Sequence, residues 1–542
     1  MRIVAVSPFH DGSACEMVDG VVTQYYREER LSRRKHDAQP FLSVEKIFQN
    51  TTASPDAVVI ASPDQYDPTL NVWQQYLAKR SGCNNVIDMS NEHHLQHAHL
   101  AYYNSFFKEC YVIVADRIGS RVADVFREGE SVYYFHDGLV KMIYKNFWLE
   151  NTPNAEQLKA FEEYKQNNPE THITYSELGW CRFYEMATTV MNQHPLDAGK
   201  AMGLSAYGAH SYTDLMKDFT IPNSSYSEDV LLFGERVSKW KDIDIAKELD
   251  IDNYIDYANV ANAVQTSTQQ ALEYMVGHLY NMGQQKINNF AVTGGYAYNV
   301  VANGNLVKKY PSLNFYFEPN ADDGGNSIGA AMAVYYWQTG NKPNLLHDCF
   351  YHGIEHELNI TDGIDYTNVD CATDLARGKI VATYYGKAEA GPRALGHRSI
   401  LHDPRNPNAK ETVNEVKQRE WYRPFAACVL EEYAHEWFSI PKNFASPHMT
   451  ESYQVLKPTV IPGVVHVDGS CRIQTVNETN ILYPILMEFY KQTGVPVLLN
   501  TSFNLHGQPL IETPDQAIDT LRSTYIDVLY FPKIEKCLEN KG

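Results

Sequence analysis

Short, unbroken apolar runs that stop at glycine or at a polar turn set the tightest limit on what this chain can become. Ile3–Ser7, Asp56–Ser62 (DAVVIAS), Tyr111–Ala115 (YVIVA), Asn289–Thr293 (NFAVT), Lys379–Tyr385 (KIVATYY) and Val495–Asn500 (VPVLLN) all have strand length. Runs of this kind are strands covered on both faces, and that requires helices above and below a sheet, an α/β architecture. Gly20–Tyr26 adds a second early strand and a hairpin-like opening. Val260–Met282 and Ser327–Trp337 have helical character. Residues 120–260 lack a clear period and are expected to be mixed helices and loops. Gly340–Asp348 (GNKPNLLHD) carries glycine and proline after a helical run, so two units are expected, at 1–345 and 346–542. No tandem repeat and no low-complexity tail is visible.

The composition narrows the class of partner. Hydrophobic residues make up 44% of 542 and charged residues 21%, enough for a large core. Lys plus Arg is 46 and Asp plus Glu is 66, for a net charge of −20. That balance argues against tight duplex nucleic-acid binding, which needs many cationic phosphate contacts, although a local basic groove is compatible with it. No window is long and apolar enough for a membrane span, and the first apolar run is too short for a signal peptide. Nine cysteines without a C-x-x-C pair fit a reducing cytoplasm and not a disulfide framework or thiolate zinc site.

Several clusters carry chemistry. In Glu92-His93-His94-Leu95-Gln96-His97-Ala98-His99, preceded by Ser90 as a candidate N-cap, His93 and His97 lie four apart and share one helical face. Two such imidazoles can hold a divalent metal with carboxylates from elsewhere, and Asp116 and Asp323 are the best-placed donors, each beside a strand end or glycine turn. A histidine-rich surface helix is the plainer alternative. The turns His10-Asp11-Gly12-Ser13, Gly294-Gly295 and Asp323-Gly324-Gly325 let a backbone approach phosphate closely. His10 beside Asp11 suits either a general base or a turn cap. Arg393 and Arg398, in GPRALGHRS, form an expected anion fork. Lys417 and Arg419 point the same way if their segment is extended, and Leu499-Asn500-Thr501-Ser502-Phe503-Asn504 places polar groups at a strand end. Together these predict a polyphosphate site.

With HDGSA (10–14), EERLSRRKHD (28–37), HHLQHA (93–98), KAMGLSAYG (200–208), TGGYAYNVVANG (293–304), DGGNSIGAA (323–331), GPRALGHRSIL (391–401), VKQREWYRPFA (416–426) and LNTSFN (499–504) in this order, the chain resembles the O-carbamoyltransferases of the nodulation and antibiotic-tailoring type. The resemblance implies an actin/hexokinase-like (Kae1-like) first domain and a YrdC-like α/β second domain. It implies that the second domain makes carbamoyl-adenylate from ATP, with its magnesium, and carbamoyl phosphate. The first domain would then pass the carbamoyl group to a hydroxyl. Carried over by motif, His93, His97, Asp116 and Asp323 hold the metal (iron, manganese or zinc). His10 helps deprotonate the acceptor, and Lys35 contacts the acyl-adenylate. Lys417, Arg419, Arg472 and Ser502, with Asn504 in the S-x-N motif, bind carbamoyl phosphate and ATP. This chain departs from the pattern at Arg117, where the family has glycine, and at Tyr296 and Tyr298, in place of a smaller GGVALN-type sequence.

The expected acceptor is a sugar, an aminoglycoside, or a hydroxymethyl-pyrimidine as nucleotide or in DNA. A homodimer is one expected assembly. Two other readings compete: threonylcarbamoyl transfer to tRNA, disfavoured by the charge, and a non-catalytic nucleotide-binding regulator. The regulator would need the glycine turns but not Lys417, Arg419 and Ser502.

Overall fold

The computed structural model describes residues 1–542 except 51–52, 65–67, 177–178, 192, 210–253, 345–349, 442–443 and 541–542. The described residues form three sheets layered with helices, as the apolar runs require. In the first, Arg2–Ser7 pairs antiparallel with Ser13–Val18, which pairs antiparallel with Val21–Arg27. On its other edge Arg2–Ser7 runs parallel to Ala57–Ile60, followed by Val86–Asp88. The second sheet repeats this plan. Glu109–Ala115 pairs antiparallel with Phe126–His136, and that strand with Leu139–Leu149. On the other edge Glu109–Ala115 runs parallel to Asn289–Thr293, then Asn314–Phe317. In both sheets the strand order is 3-2-1-4-5 with the same orientations, and His172–Ser176 extends the second. This structural duplication, invisible as a sequence repeat, fits the actin/hexokinase-like expectation.

The expectation for 120–260 needs correction. The stretch contains the long hairpin Phe126–His136/Leu139–Leu149, closed by Asp137 (φ 51°) and Gly138 (φ 91°). A two-residue turn with both φ values positive matches the twist of paired strands. Part of that stretch, 210–253, lies outside the described residues, as does the end of the expected linker.

Two helices fill the space between the duplicated sheets. His93–Asn104 packs on the second sheet and is buried on every side, while Asn326–Thr339 packs on the first. They meet at Gly329, where an added Cβ would lie 2.1 Å from the Gln96 carbonyl oxygen. Only a residue without a side chain lets the two backbones come this close. Ser90 is not the cap of the first helix. The His93 amide donates instead to Ser120 Oγ, at 3.1 Å, a residue distant in sequence.

The third sheet has nine strands, all after residue 363, with Arg398–His402 and Val497–Ser502 paired at its centre. Arginines from the first sheet's edge grip it. Arg30 donates to the Gly391 carbonyl at 2.9 Å, and Arg33 to the Leu510 and Pro509 carbonyls at 2.7 and 2.9 Å. No described helix is long and apolar enough to cross a membrane.

Gly329→Ala should destabilise the protein by about 1–3 kcal/mol, because overpacking forces backbones apart. Gly199→Ala, whose Cβ would meet nothing within 4 Å, should not. Calorimetric melting of both variants checks the contrast.

Candidate active site

The end of the second sheet's central strand, the start of the buried helix and the glycine turn before its partner helix converge. His93, His97, Asp116 and Asp323 each offer a ligand atom, and these atoms lie within 4.8 Å of one another. His93 Nε2 is 3.5 Å from Asp116 Oδ2 and 3.3 Å from Asp323 Oδ1, and His97 Nε2 is also 3.3 Å from Asp323 Oδ1. All four are buried. Asp116 is fixed by the Gly295 amide, which donates to Oδ1 at 3.0 Å, and by the Ile118 amide, which donates to Oδ2 at 3.2 Å. Gly294 has φ 79°, and a Cβ there would lie 2.3 Å from the Ala115 carbonyl oxygen. The glycine pair thus seats a carboxylate of the cage.

His10 closes the cage from the first sheet. Its Nε2 lies 3.2 Å from Asp323 Oδ2 and its Nδ1 3.2 Å from Asp11 Oδ2. Asp11 is itself held by Arg27 at 3.2 Å and His36 at 2.9 Å, and Arg27 also reaches Asp322 at 2.7 Å. Burial pulls the His10 pKa down, but Asp323, Asp11 and Asp116 carry it up to about 9. His93 follows the same balance, lowered by burial and carried up to about 10 by Asp323 and Asp116. Burial pushes Asp323 up, yet the imidazoles of His10 and His93 outweigh it and hold it at about 2.

Of these groups His10, Asp11, His36, Asp116, Asp322 and Asp323 line a cavity of about 310 Å³ that also receives Lys35, Asp197, Arg117, Glu185, Arg393 and Arg423. Lys35 Nζ pairs with Asp197 Oδ1 at 3.0 Å. Arg393 and Arg423 come from the second part of the chain and belong to a cation cluster with Lys417, Arg419 and Arg472. Lys417 Nζ donates to the Ser502 carbonyl, to Asn504 O at 2.9 Å and to Asn504 Oδ1 at 3.2 Å. Arg419 donates to Asn414 Oδ1 at 2.7 Å and to the Pro424 carbonyl at 3.0 Å. Arg472 Nε is buried with no hydrogen-bond partner. Burial and then Arg419 and Arg423 hold Lys417 well below its ordinary value, and burial with Arg393, Arg419 and Arg423 does the same to Arg472. Buried cations that disfavour one another's charge make a seat for an anion.

Two expectations change. Lys417 is the last residue of the Ala409–Lys417 helix, and Gln418 takes a left-handed φ of 53°, so the segment is not extended. The turn, not alternation, brings Lys417 and Arg419 together. Arg398 does not fork with Arg393. It is fully buried, donates to the Tyr385, Gly386 and Glu512 carbonyls at 2.7, 3.0 and 3.3 Å, and lies 3.6 Å over the Tyr384 ring. Both its terminal nitrogens are committed to the backbone. Sequence reasoning missed Arg27, Glu185, Asp197 and Lys200 at this site; Lys200 stood inside a quoted motif, and the others carry no local signal.

The family described as carbamoyltransferase N-terminus matches residues 61–332, and that described as carbamoyltransferase C-terminus matches 372–536. The chain belongs to the carbamoyltransferase family. It is 30% identical to an uncharacterized protein of Methanocaldococcus jannaschii, over 81% of this chain and 72% of that one. It is 27% identical to the nodulation protein NolNO of Sinorhizobium fredii, over 96% of this chain and 78% of that one. The crystal structure of full-length HypF in its phosphate- and nucleotide-bound form aligns with a TM-score of 0.40 and 13% identity, over 63% of this chain and 56% of that one.

The cage of this carbamoyltransferase fits a divalent metal. Asp323 Oδ1 and Oδ2 and His93 Nε2 are buried with no hydrogen-bond partner, and two imidazoles with two carboxylates are a usual donor set for iron, manganese or zinc. Because His93 holds a proton up to about pH 10 when no metal competes, binding must expel it. Metal affinity should therefore rise by about tenfold per pH unit between pH 6 and 9, and Asp323→Asn should abolish it. Titrations monitored by calorimetry in buffers of different ionisation heat measure both the affinity and the released proton.

Proposed function

We propose that this carbamoyltransferase is ATP-dependent and works in two steps on one cavity. The second part of the chain, read as a YrdC-like domain beginning near residue 346, forms carbamoyl-adenylate in two bond changes: one water cleaves carbamoyl phosphate to carbamate and phosphate, and the carbamate oxygen then attacks the α-phosphorus of ATP, releasing pyrophosphate. The first part, read as 1–345, transfers the carbamoyl group to an acceptor hydroxyl. The single observation that supports this reading is that Arg393 and Arg423 of the cation cluster line the same cavity as Asp116, Asp323 and His10.

The residues suit these steps. Lys417, Arg419 and Arg472 supply fixed positive charge for phosphate oxygens, with Ser502 and Asn504 orienting Lys417. Their charge is least favourable with nothing bound, so an anion gains from all of them at once. In the transfer step the alcohol oxygen bonds to the carbamoyl carbon and the carbon–oxygen bond to AMP breaks. A metal held by His93, His97, Asp116 and Asp323 would polarise the carbamoyl carbonyl and neutralise phosphate charge. Asp11 accepts from His10 Nδ1, which leaves Nε2 to take the hydroxyl proton. Once the charge of Asp116 and Asp323 is compensated, His10 falls back toward its ordinary range, where it serves as a base. Lys35, tethered to Asp197 at the cavity wall, is placed to meet the acyl-adenylate phosphate. A single cavity shared by the two parts would shorten the passage of the mixed anhydride and so its exposure to water.

Pyrophosphate should form from ATP only when carbamoyl phosphate is present, and Lys417→Ala should lower that rate by about 100-fold or more. His10→Ala should leave the first step intact and suppress transfer. Mass spectrometry of carbamoyl-adenylate, AMP and pyrophosphate separates the two effects, and AMP without pyrophosphate in the native protein would count against the scheme.

A further inference from the structure

Arg117 follows the cage residue Asp116 directly and stands where the resemblance expects glycine. It lines the cavity with Cys181, Tyr184, Glu185, Tyr296 and Asn299. Its Nη2 pairs with Glu185 Oε1 at 2.8 Å, and its Nε is buried with no hydrogen-bond partner. Glu185 is not Arg117's alone, because its other oxygen is paired with Arg182. Arg182 is in turn anchored 5.3 Å over the Trp148 ring. Two guanidiniums on one carboxylate leave one positive charge in excess beside the cage. Elsewhere on the wall Lys35 and Lys200 share Asp197, at 3.0 and 3.2 Å, and Lys200 also meets Glu420 at 2.7 Å, while Arg393 and Arg423 belong to the phosphate seat. Arg117 is thus a wall cation beside the cage, separate from the Arg393 and Arg423 of the phosphate seat, in a chain that carries −20 overall.

We infer that the acceptor is an alcohol bearing an oxyanion, phosphate or carboxylate, which Arg117 binds, and that a cationic aminoglycoside is excluded. Resting on the reading of this cavity as the transfer site, the inference assigns Arg117 as a specificity-determining residue. A guanidinium with an unsatisfied donor can take an oxyanion through a charge-assisted hydrogen bond. A polyamine would bring a like charge against Arg117, whose carboxylate Glu185 is already shared with Arg182.

The test is titration calorimetry of the full-length protein with matched probes: 5-hydroxymethyl-deoxycytidine monophosphate against its nucleoside, glucuronate against glucose, and kanamycin. At least one anionic member should bind about tenfold or more tightly than its neutral partner. The phosphate and carboxylate pairs distinguish the two oxyanions. Arg117→Ala should reduce that ratio to near one, whereas Arg472→Ala, which disables the other anion seat, should preserve it. Glu185→Gln should raise the ratio, since it removes the competing carboxylate; a purely structural Arg117–Glu185 pair would instead weaken all probes alike. Equal or undetectable binding within both pairs, tightest binding by kanamycin, or a preference lost in Arg472→Ala and kept in Arg117→Ala overturns the inference. Carbamoyl transfer to the probes, assayed in parallel with ATP and carbamoyl phosphate, keeps the two claims apart. Transfer without anion preference sinks the Arg117 assignment alone, while an Arg117-dependent preference without transfer sinks the proposed reaction alone.

Discussion

Burying Asp116 and Asp323 against His93, His97 and His10 is the constraint on which this structure turns. Carboxylates taken from water need charge or hydrogen bonds of comparable strength. Here Asp116 receives two amide hydrogens, but Asp323's side-chain oxygens receive none and rely on imidazoles. The surrounding architecture exists to hold that arrangement closed. A helix buried on all sides carries the two histidines, and its contact with Asn326–Thr339 is tight enough to demand Gly329. A positive-φ glycine turn delivers the amide that steadies Asp116.

The second part of the chain shows the opposite electrostatic situation. Five cationic side chains gather with hydrogen bonds mainly to backbone and amide oxygens, and Glu420, on Arg423, offsets only part of their mutual repulsion. Between this cluster and the cage runs an alternating series, Arg423 to Glu420, Glu420 to Lys200, Lys200 to Asp197 and Asp197 to Lys35. Lys200 is buried, so the cost of taking it and its partners from water offsets much of their attraction. Their value lies in position, since they join the two parts along the cavity and leave few loose charges to attract water.

Much of the fold was legible because apolar runs bounded by turns report sheets buried on both faces, and each of the six became a strand. The Phe126–Leu149 hairpin escaped because its strands carry buried Glu128, Glu130 and Lys145, which disguise the period: Lys145 satisfies Glu128, and Asn146 with the Trp180 amide satisfies Glu130. At the site, the four-residue spacing of His93 and His97 was a local signal, whereas Asp116 and Asp323, 207 residues apart, were suggested by a strand end and a glycine turn and joined into one ligand set by the family pattern. Arg398 misled because an arginine in a glycine-rich loop looks the same whether it faces a ligand or caps its own backbone. Arg27 could not be found at all: its importance comes from bridging Asp11 and Asp322, residues brought together only by the duplicated sheets.

That duplication has a mechanical side. His10 and Asp323 hang from the layer built on the first sheet, and His93, His97 and Asp116 from the layer built on the second. A cation seated among them acts as a rivet between two leaves, and its occupancy becomes a gauge of how firmly the leaves are shut. Anything that pries them apart loosens the rivet before it unfolds either leaf.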